Sequence, residues 1–210
     1  MIYLLPGMGA DHRLFSRLDL PGLNPKVLQW VPPGEGDSLG DYAKKLQPQI
    51  TSTEDAVLLG VSLGGMLAVE LARLARFRKI ILISSAKTCL EIPFYFRKAG
   101  KAGWHRWITA DRLVRMRQKI SPLMNRLGAE YRLFSQMVSE VDPDFMNWGL
   151  DAVLRWRNQE VPSNLVHIHG TADLLLPARY ISDYIPVRSG SHLMIYQKSH
   201  ELNKLIHEII

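Results

Sequence analysis

The chain has 210 residues, 47% of them hydrophobic, which is enough for one substantial core but short for two full domains. Its net charge of +6 is compatible with an acidic partner, but no nucleic-acid-binding motif accompanies the charge. The single cysteine, Cys89, excludes an internal disulfide, and no apolar run reaches the roughly 18 residues of a membrane span. The N-terminal stretch lacks the basic region and cleavage site of a signal peptide. We therefore expect a cytoplasmic protein of one domain with an insertion, without a nucleic-acid partner or stable membrane insertion.

Short apolar runs between turn residues predict β-strands along the chain. They lie at residues 2–5, 27–31, 57–61, 80–83 and 165–168. Helical spacing separates several of these runs, as at residues 39–50 and 63–75. Strands that alternate with helices form a parallel sheet with helices on both faces, and such strands are buried on both sides. The sequence therefore predicts an α/β fold.

The alternation stops between residues 88 and 157, where no strand-like run occurs. The aromatic and basic residues of this segment include Phe94, Tyr95, Phe96, Trp104, Trp107, Arg112, Arg115, Arg117 and Arg126. Basic residues outnumber acidic ones severalfold between residues 96 and 132. We predict a helical insertion at 88–157 in a core made of residues 1–87 and 158–210.

The sequence Gly60-Val61-Ser62-Leu63-Gly64 matches the G-x-S-x-G motif. An apolar run precedes it and a helical pattern follows, which is the context of a nucleophile at a sharp strand-to-helix turn. Glycine on either side of the serine removes Cβ atoms that would clash where the helix folds back over the strand. We interpret Ser62 as a nucleophile, and a purely structural turn is the alternative.

A serine hydroxyl needs a base that takes its proton and a third group that orients the base. In the sequence HIHGTADLLLP, Asp173 follows the predicted strand 165–168 in a loop bounded by glycine and proline. Further along, RSGSHLMIY offers His192 in a glycine-containing loop before the final helix. The chain order Ser62, Asp173, His192 is the order expected for such a site at the carboxyl ends of parallel strands.

Three other residues are less suited to these two roles. His167 and His169 alternate within one strand, so we expect them to point to the same face and to be packing residues. Asp183 is a reserve candidate for the acid, less favoured because it falls within a helix-like stretch.

The remaining histidines are assigned to packing or to the surface. His12 lies near the first glycine loop and can line a site there, but it follows the wrong element to act as the base. His105 stands between two tryptophans, where packing is expected and a substrate contact is the alternative. His200 and His207, in the terminal segment, are interpreted as cap or surface residues.

Two backbone N–H groups are candidates for stabilising the negative oxygen that develops on a reacting carbonyl. Leu63, immediately after Ser62 at the helix start, offers one of them. Met8, in the loop LPGMGAD, offers the second, and Gly7 and Gly9 let this backbone approach closely. The alternative for this loop is an ordinary strand-to-helix turn.

The four segments LPGMGAD, GVSLGG, HGTADLLLP and GSHLMI resemble, in this order, the oxyanion, nucleophile, acid and histidine loops of the α/β-hydrolase fold family. The resemblance implies a Ser-His-Asp hydrolase with about six mostly parallel strands and a helical lid, which corresponds to residues 88–157. The chain departs from the family where Pro6-Gly7 replaces a common His-Gly and where the usual preceding antiparallel strands are missing. The sheet edge left exposed offers a surface for a partner or a second copy.

The resemblance and the candidate residues together predict an enzyme that hydrolyses a carboxylic ester of a small or acyl-chain substrate through an acyl-enzyme. No metal and no organic cofactor is expected. The aromatic and aliphatic residues of the predicted lid indicate an apolar acyl pocket, or else helices that pack on the sheet. Its basic residues indicate an anionic acyl carrier as a partner, or else a solvated helix face.

Several other functions stay open at this point. The same residues also suit thioester hydrolysis or acyl transfer on a CoA- or carrier-protein-bound acyl group, and C–C bond cleavage. A non-catalytic ligand-binding member of the fold is a second class, although the complete Ser-His-Asp set argues against it. A third is a membrane-surface protein that uses the basic, Trp-rich segment 94–107 as an interfacial helix.

Overall fold

The computed structural model describes residues 1–101 and 128–210, and six strands form one sheet in this part of the chain. The strands are β1 (Ile2–Leu5), β2 (Pro25–Val27), β3 (Val57–Val61), β4 (Lys79–Ile83), β5 (Leu165–Gly170) and β6 (Ile185–Val187). Their order is β2-β1-β3-β4-β5-β6, and every neighbouring pair is parallel. The prediction of a mostly parallel sheet of about six strands is therefore confirmed.

Seven α-helices occur in the described residues. They are α1 (Leu39–Leu46), α2 (Leu63–Leu74), α3 (Phe94–Lys101), α4 (Ala129–Glu140), α5 (Pro143–Arg155), α6 (Met194–Gln197) and α7 (Ser199–Ile209). Short 3₁₀ turns lie at His12–Phe15, Gln47–Gln49, Cys89–Glu91 and Ala178–Tyr180. None of the helices described is long and apolar enough to cross a membrane.

Helices cover both faces of the sheet, because successive strand residues point to opposite faces and both sets are apolar. On one face, Leu58 of β3 packs in a cluster with Tyr42 of α1 and Leu67 of α2. On the other face, the neighbouring Leu59 packs in a cluster with Ile206 of α7. The central strands therefore consist of continuous apolar runs, which is the pattern from which they were predicted.

The second strand lies at Pro25–Val27 and overlaps the predicted run 27–31 only at Val27, because side chains replace a neighbouring strand as hydrogen-bond partners beyond it. Beyond β2, the N–H of Gln29 donates to the side chain of Gln49 (2.8 Å). The N–H of Val31 donates to the hydroxyl of Tyr42 (3.0 Å). These contacts lead the chain away from the sheet edge toward α1.

The sixth strand and the residues before it differ from the sequence expectation. Pro186 interrupts the apolar run of β6, so the run was not recognised as a strand. Asp183, expected in a helix-like stretch, instead lies in a bend with a φ of 39°. The backbone carbonyls of Ser182 and Asp183 accept hydrogen bonds from the ammonium group of buried Lys87, which holds this bend.

The predicted insertion 88–157 contains α3, α4 and α5, and α3 packs against α5. Residues 102–127 lie outside the described residues. This range includes Trp104, His105, Trp107, Arg112, Arg115, Arg117 and Arg126. The predictions that depend on these side chains therefore stay predictions.

Candidate active site

Ser62 forms the sharp turn between the end of β3 and the start of α2. Its φ of 54° and ψ of −121° lie in a region that non-glycine residues rarely adopt, at a cost of about 1–3 kcal/mol. Hydrogen bonds hold the turn on both sides. The Ser62 N–H donates to the Ile83 carbonyl (3.1 Å), and the Ser62 carbonyl accepts from the Gly65 N–H (2.9 Å) and the Ser85 hydroxyl (2.6 Å). The turn presents Ser62, partly exposed, at the carboxyl end of the sheet.

The glycines around Ser62 are required by close backbone packing. A Cβ atom on Gly60 would overlap the backbone of Gly64. A Cβ atom on Gly64 would overlap the carbonyl oxygens of Leu5 and Pro6 at the end of β1. Glycine at both positions therefore lets the start of α2 approach β3 and β1 closely, as the motif predicts.

His192 and Asp173 form a hydrogen-bonded chain with Ser62. The His192 Nε2 atom is 3.1 Å from the Ser62 Oγ atom, and the His192 Nδ1 atom is 2.8 Å from the Asp173 Oδ2 atom. An ionised carboxylate only accepts hydrogen bonds, so Nδ1 carries the ring proton and Nε2 is free to accept the serine hydroxyl. Such a chain can take the proton from a serine and stabilise the resulting imidazolium.

Asp173 is held in the ionised state although its carboxylate is fully buried. Burial by itself would raise the pKa of this carboxyl, but hydrogen bonds from His192 and from the Leu176 N–H, together with the charge of His192, hold the pKa below its ordinary value. The Oδ1 atom accepts from the N–H groups of Leu175 and Leu176, each at 2.9 Å. One carboxylate oxygen thus binds the loop and the other binds His192.

The loop after β1, residues 6–11 and called the β1 loop below, runs beside Ser62. A Cβ atom on Gly7 would lie 3.3 Å from the Cβ atom of Ser62, so glycine allows this approach. Met8 follows in the turn, and Leu63 is the first residue of α2. N–H groups in the first turn of a helix lack partners within the helix, so the Leu63 N–H is available to an oxyanion near Ser62.

Helices α4 and α5 pack on this same loop. A Cβ atom on Gly149 of α5 would lie 2.7 Å from the Met8 Sδ atom and 3.6 Å from the Leu63 side chain. A Cβ atom on Gly9, whose φ is +81°, would lie 2.9 Å from the side chain of Val138 in α4. Helix α5 of the predicted insertion therefore lies against Met8 and Leu63, which carry the candidate oxyanion N–H groups, and α4 lies against the neighbouring Gly9.

An ion-pair network also connects the β1 loop to α4. The single Nε–H of Arg13 is shared between the two carboxylate oxygens of Asp11, each at 3.0 Å, and Nη2 donates to Oδ2 at 2.6 Å. The same Nη2 atom pairs with Glu140 near the end of α4. The hydrogen bond from Arg13 is the main reason that the pKa of Asp11 is lowered.

The other histidines in the described residues are distributed as follows. His167 and His169 are 1% and 0% exposed and contact each other on one face of β5, as expected for neighbours two residues apart. The side chain of His12 is 70% exposed and lies beside the β1 loop. His200 is exposed, and exposed His207 hydrogen bonds a backbone carbonyl through Nε2 at 3.0 Å.

Two polar contacts made by residues that follow β4 were not recognised from the sequence. The first is the Ser85 hydroxyl on the Ser62 carbonyl, for which the only signal is a polar residue just beyond the strand next to β3. The second is the buried ion pair of Lys87 and Glu91 (3.3 Å), whose spacing of four residues was a possible signal. Glu91 also accepts from the hydroxyl of Ser182 at 2.9 Å, so this pair joins the segments that follow β4 and precede β6.

A family model described as "Alpha/beta hydrolase family" matches residues 2–205. No curated protein matches the chain in sequence.

Solved structures with the same fold include enzymes of different substrate classes. A thermophilic esterase from Thermogutta terrifontis has a TM-score of 0.68 and 17% identity, and the match covers 99% of this chain and 88% of that one. An enol-lactonase from Burkholderia xenovorans has a TM-score of 0.70 and 15% identity, with coverage of 99% and 90%. A thioesterase from the prodiginine biosynthetic pathway in Streptomyces coelicolor has a TM-score of 0.67 and 16% identity, with coverage of 100% and 89%. Identities this low show a shared fold and do not select a substrate.

Proposed function

Because this chain belongs to the alpha/beta hydrolase family, we propose that it is a serine hydrolase that cleaves a carboxylic ester through an acyl-enzyme. The observation that carries the proposal is the hydrogen-bonded chain from Ser62 through His192 (3.1 Å) to Asp173 (2.8 Å). The proposed substrate is a small ester or an ester of an acyl chain. The cytoplasm is the proposed compartment, because a chain with a single cysteine cannot form an internal disulfide and so suits a reducing environment.

In the proposed acylation step, the Ser62 Oγ atom attacks the ester carbonyl while its proton passes to Nε2 of His192. Asp173 stabilises the imidazolium through the Nδ1–H hydrogen bond without being protonated itself. When the bond to the leaving oxygen breaks, His192 donates the proton to that oxygen. The products of this step are the free alcohol and an acyl group bound to Ser62.

In the proposed deacylation step, a water molecule attacks the acyl carbonyl and gives a proton to His192. The bond from the carbonyl carbon to Ser62 then breaks, and the proton returns from His192 to the serine oxygen. The carboxylic acid leaves and the enzyme returns to its starting state. This is the same proton transfer as in acylation, with water in place of the serine.

The N–H groups of Met8 and Leu63 are the proposed oxyanion donors in both steps. Support comes from the contact of the β1 loop with Ser62 at Gly7 and from the position of Leu63 in the first turn of α2. Preformed donors of this kind stabilise a developing charge by about 3–4 kcal/mol each. Gly7, Gly9, Gly60 and Gly64 are the proposed shaping residues, because each allows a close approach of backbone near the site.

We retain residues 88–157 as a lid over a core of residues 1–87 and 158–210. The support is that α4 and α5 contact the β1 loop at Gly9 and Met8. In this arrangement the lid helps to hold the β1 loop, which carries the proposed oxyanion donor Met8, and also shapes the substrate pocket.

Hydrolysis or transfer of a thioester-bound acyl group is the second candidate function. It is favoured by the excess of basic residues between 96 and 132, which suits an anionic CoA or carrier protein. One of the similar solved structures is a thioesterase, which adds support at the level of the fold. The chemistry at Ser62 would be the same, with sulfur instead of oxygen as the leaving atom.

The test uses the wild type and Ser62→Ala with p-nitrophenyl esters and acyl-CoA thioesters of matched chain lengths. We expect turnover by the wild type only, with an acyl adduct on the peptide that contains Ser62 in quenched samples. A higher kcat/KM for the thioesters would select the second candidate. Equal activity of the two proteins, or inactivity of the wild type on both series, would contradict the proposed function.

A further inference from the structure

Two buried histidines lie beside the acid of the candidate site and have no part in the mechanism above. His169 is fully buried, and its Nε2 atom is 3.7 Å from the Asp173 Oδ2 atom, the oxygen that binds His192. The Nδ1 atom of His169 is 3.3 Å from the Nε2 atom of His167. A polar pair buried this deeply in a sheet is costly unless its hydrogen bonds are satisfied, so its connections are informative.

His169 binds the loop that carries Asp173. We define the acid loop as residues 171–176. The Nε2 atom of His169 is 2.8 Å from the Leu176 carbonyl oxygen, and the Leu176 N–H donates to Asp173 Oδ1 at 2.9 Å. The end of the acid loop is therefore held on one side by His169 and on the other by Asp173.

The tip of the acid loop has no comparable apolar anchor. Leu174 is 90% exposed and Leu175 is 48% exposed, so these side chains gain little from burial. Of the three leucines in the loop, only Leu176 at its end is buried. Leu176 packs in the apolar cluster on one face of the sheet. Its backbone, which donates to Asp173, is also held by the hydrogen bond with His169.

The hydrogen bonds determine the tautomer of each imidazole. A carbonyl oxygen only accepts, so His169 carries its proton on Nε2 and leaves a lone pair on Nδ1. That lone pair requires a donor, and His167 supplies it from Nε2. The Nδ1 atom of His167 has no partner within the described residues, so the chain of hydrogen bonds ends there at an acceptor.

The surroundings favour neutral rings at both positions. Burial lowers the pKa of His169 and lowers that of His167 further below its ordinary value. The titratable groups that face the two rings are Asp173, His192, Lys87, Glu91 and Tyr184. A neutral His169 leaves the full negative charge of Asp173 to act on His192.

We propose that His169 is a positioning residue that holds the acid loop so that Asp173 faces His192, and that His167 supports it by fixing its tautomer. This inference rests on the proposed role of Ser62, His192 and Asp173. His169 contacts neither the substrate nor the reacting atoms, and it acts only through Leu176 and Asp173.

The test compares His169→Leu with His169→Gln. Leucine removes the donor to Leu176, whereas glutamine retains an N–H at a similar reach. His200→Gln, at an exposed histidine, is the matched control. Each protein is treated with a fluorophosphonate probe across a pH series, in which the Ser62 oxygen bonds to phosphorus, fluoride leaves and His192 takes the proton. This probe reports the reactivity of Ser62 without knowledge of the natural substrate.

We expect His169→Leu to react about tenfold more slowly, far less than the roughly 10⁴-fold loss typical when the acid no longer orients its histidine. The acid limb of its pH profile should move to lower pH, because a misdirected Asp173 stabilises the imidazolium less. On p-nitrophenyl esters, kcat should fall with little change in KM. His169→Gln should recover most of the rate, and His200→Gln should match the wild type.

The possible failures are distinguishable from one another. If Ser62→Ala is labelled like the wild type, or the wild type is not labelled, the proposed function itself is wrong. If Ser62→Ala is unlabelled but His169→Leu keeps the wild-type rate and profile, His169 is only structural and this inference is overturned. Equal slowing by the leucine and glutamine variants would overturn it as well.

A spectroscopic measurement covers the case in which His169→Leu does not fold. Nitrogen-15 spectra of the histidine-labelled wild type, assigned with His169→Gln, report the tautomer of each ring. We expect neutral Nε2–H rings at His167 and His169 at pH 7. A charged ring or an Nδ1–H tautomer at His169 would contradict the hydrogen bond to Leu176 and therefore the inference.

Discussion

The Ser85 hydroxyl donates a 2.6 Å hydrogen bond to the carbonyl oxygen of Ser62. The two residues follow neighbouring parallel strands, β4 and β3, so the contact joins the ends of these strands at the turn that presents the serine. This hydrogen bond directly stabilises the backbone of Ser62, whose φ of 54° is unfavourable. The adjacent Ser84 provides an internal comparison, because its buried hydroxyl has no partner within the described residues.

Replacing Ser85 with alanine should reduce both stability and activity. The loss of one buried hydrogen bond is expected to cost about 1 kcal/mol of unfolding free energy. Activity toward the best p-nitrophenyl ester should fall severalfold, since the Ser62 turn relaxes. Ser84→Ala is the control and should leave kcat unchanged. Equal kcat values for the two variants would show that the hydrogen bond from Ser85 does not support the Ser62 turn.

Replacing Gly9 with alanine should impair catalysis more than its backbone cost alone predicts. Alanine at a φ of +81° costs about 1–2 kcal/mol, and its Cβ atom would also lie 2.9 Å from the Val138 side chain. We therefore expect a displaced β1 loop and a lower kcat with little change in KM.

Gly22→Ala is the matched control for Gly9→Ala. Gly22 has a φ of +72°, and a Cβ atom there would meet nothing within 4 Å. Both variants should lose similar stability from the backbone conformation, but only Gly9→Ala should lose activity. Adding Val138→Ala to Gly9→Ala should restore part of the rate. Identical kinetics for the two glycine variants would show that the α4 contact does not influence the site.

Replacing Asp173 with asparagine should nearly abolish turnover while the fold persists. The amide can donate a hydrogen bond to His192 and so favour the wrong ring tautomer, an effect of about 10⁴-fold in kcat in the serine protease case. Asp183→Asn is the control, because Asp183 is exposed and lies in a bend that asparagine tolerates. Comparable kcat values for the two variants would remove Asp173 from the proposed mechanism.

The buried histidine pair should make the protein less stable as the pH falls below about 6.5, the ordinary pKa of histidine. Burial lowers the pKa values of His167 and His169 in the folded state, so the unfolded chain binds protons first. Stability should therefore fall by up to about 1.4 kcal/mol per pH unit for each histidine, from pH 6.5 down to its folded pKa. The pKa of the Asp173 carboxyl is lowered in the folded state, so its own contribution is lost only as the pH falls toward and below about 3.9, the ordinary pKa of aspartate.

The measurement is denaturant unfolding of the wild type, His167→Gln and His200→Gln at pH 7, 6 and 5. Glutamine at 167 retains an N–H donor but does not titrate. The slope of unfolding free energy against pH should therefore decrease by about 1.4 kcal/mol per pH unit, the contribution of one titrating proton. His200→Gln should keep the wild-type slope. An unchanged slope in His167→Gln would mean that His167 does not titrate differently in the folded and unfolded states.

Features that depend on residues close together in the chain were predictable from the sequence. The runs at β1, β3, β4 and β5 are apolar because these strands are buried on both faces. The turn at Ser62 was recognisable because its glycines are required by the local crossing of strand and helix. The end of β2 was not predictable, because the side chains of Tyr42 and Gln49 take the hydrogen bonds that a neighbouring strand would have taken.

The sequence by itself determined strands β1, β3, β4 and β5, the sharp turn at Ser62, and the candidate acid and histidine in the loops of the C-terminal part. Only the tertiary structure decided which groups meet across the fold: Ser85 with Ser62, Gly149 with Met8, and His169 with the acid loop. Ser85 and Ser62 follow different strands, and Gly149 is far from Met8 in the chain. The contact of His169 with Leu176 depends on how the acid loop folds back over β5, so no local pattern encodes these distances. They meet because parallel strands bring their carboxyl ends to one edge of the sheet, where α4 and α5 also pack on the loop that follows β1.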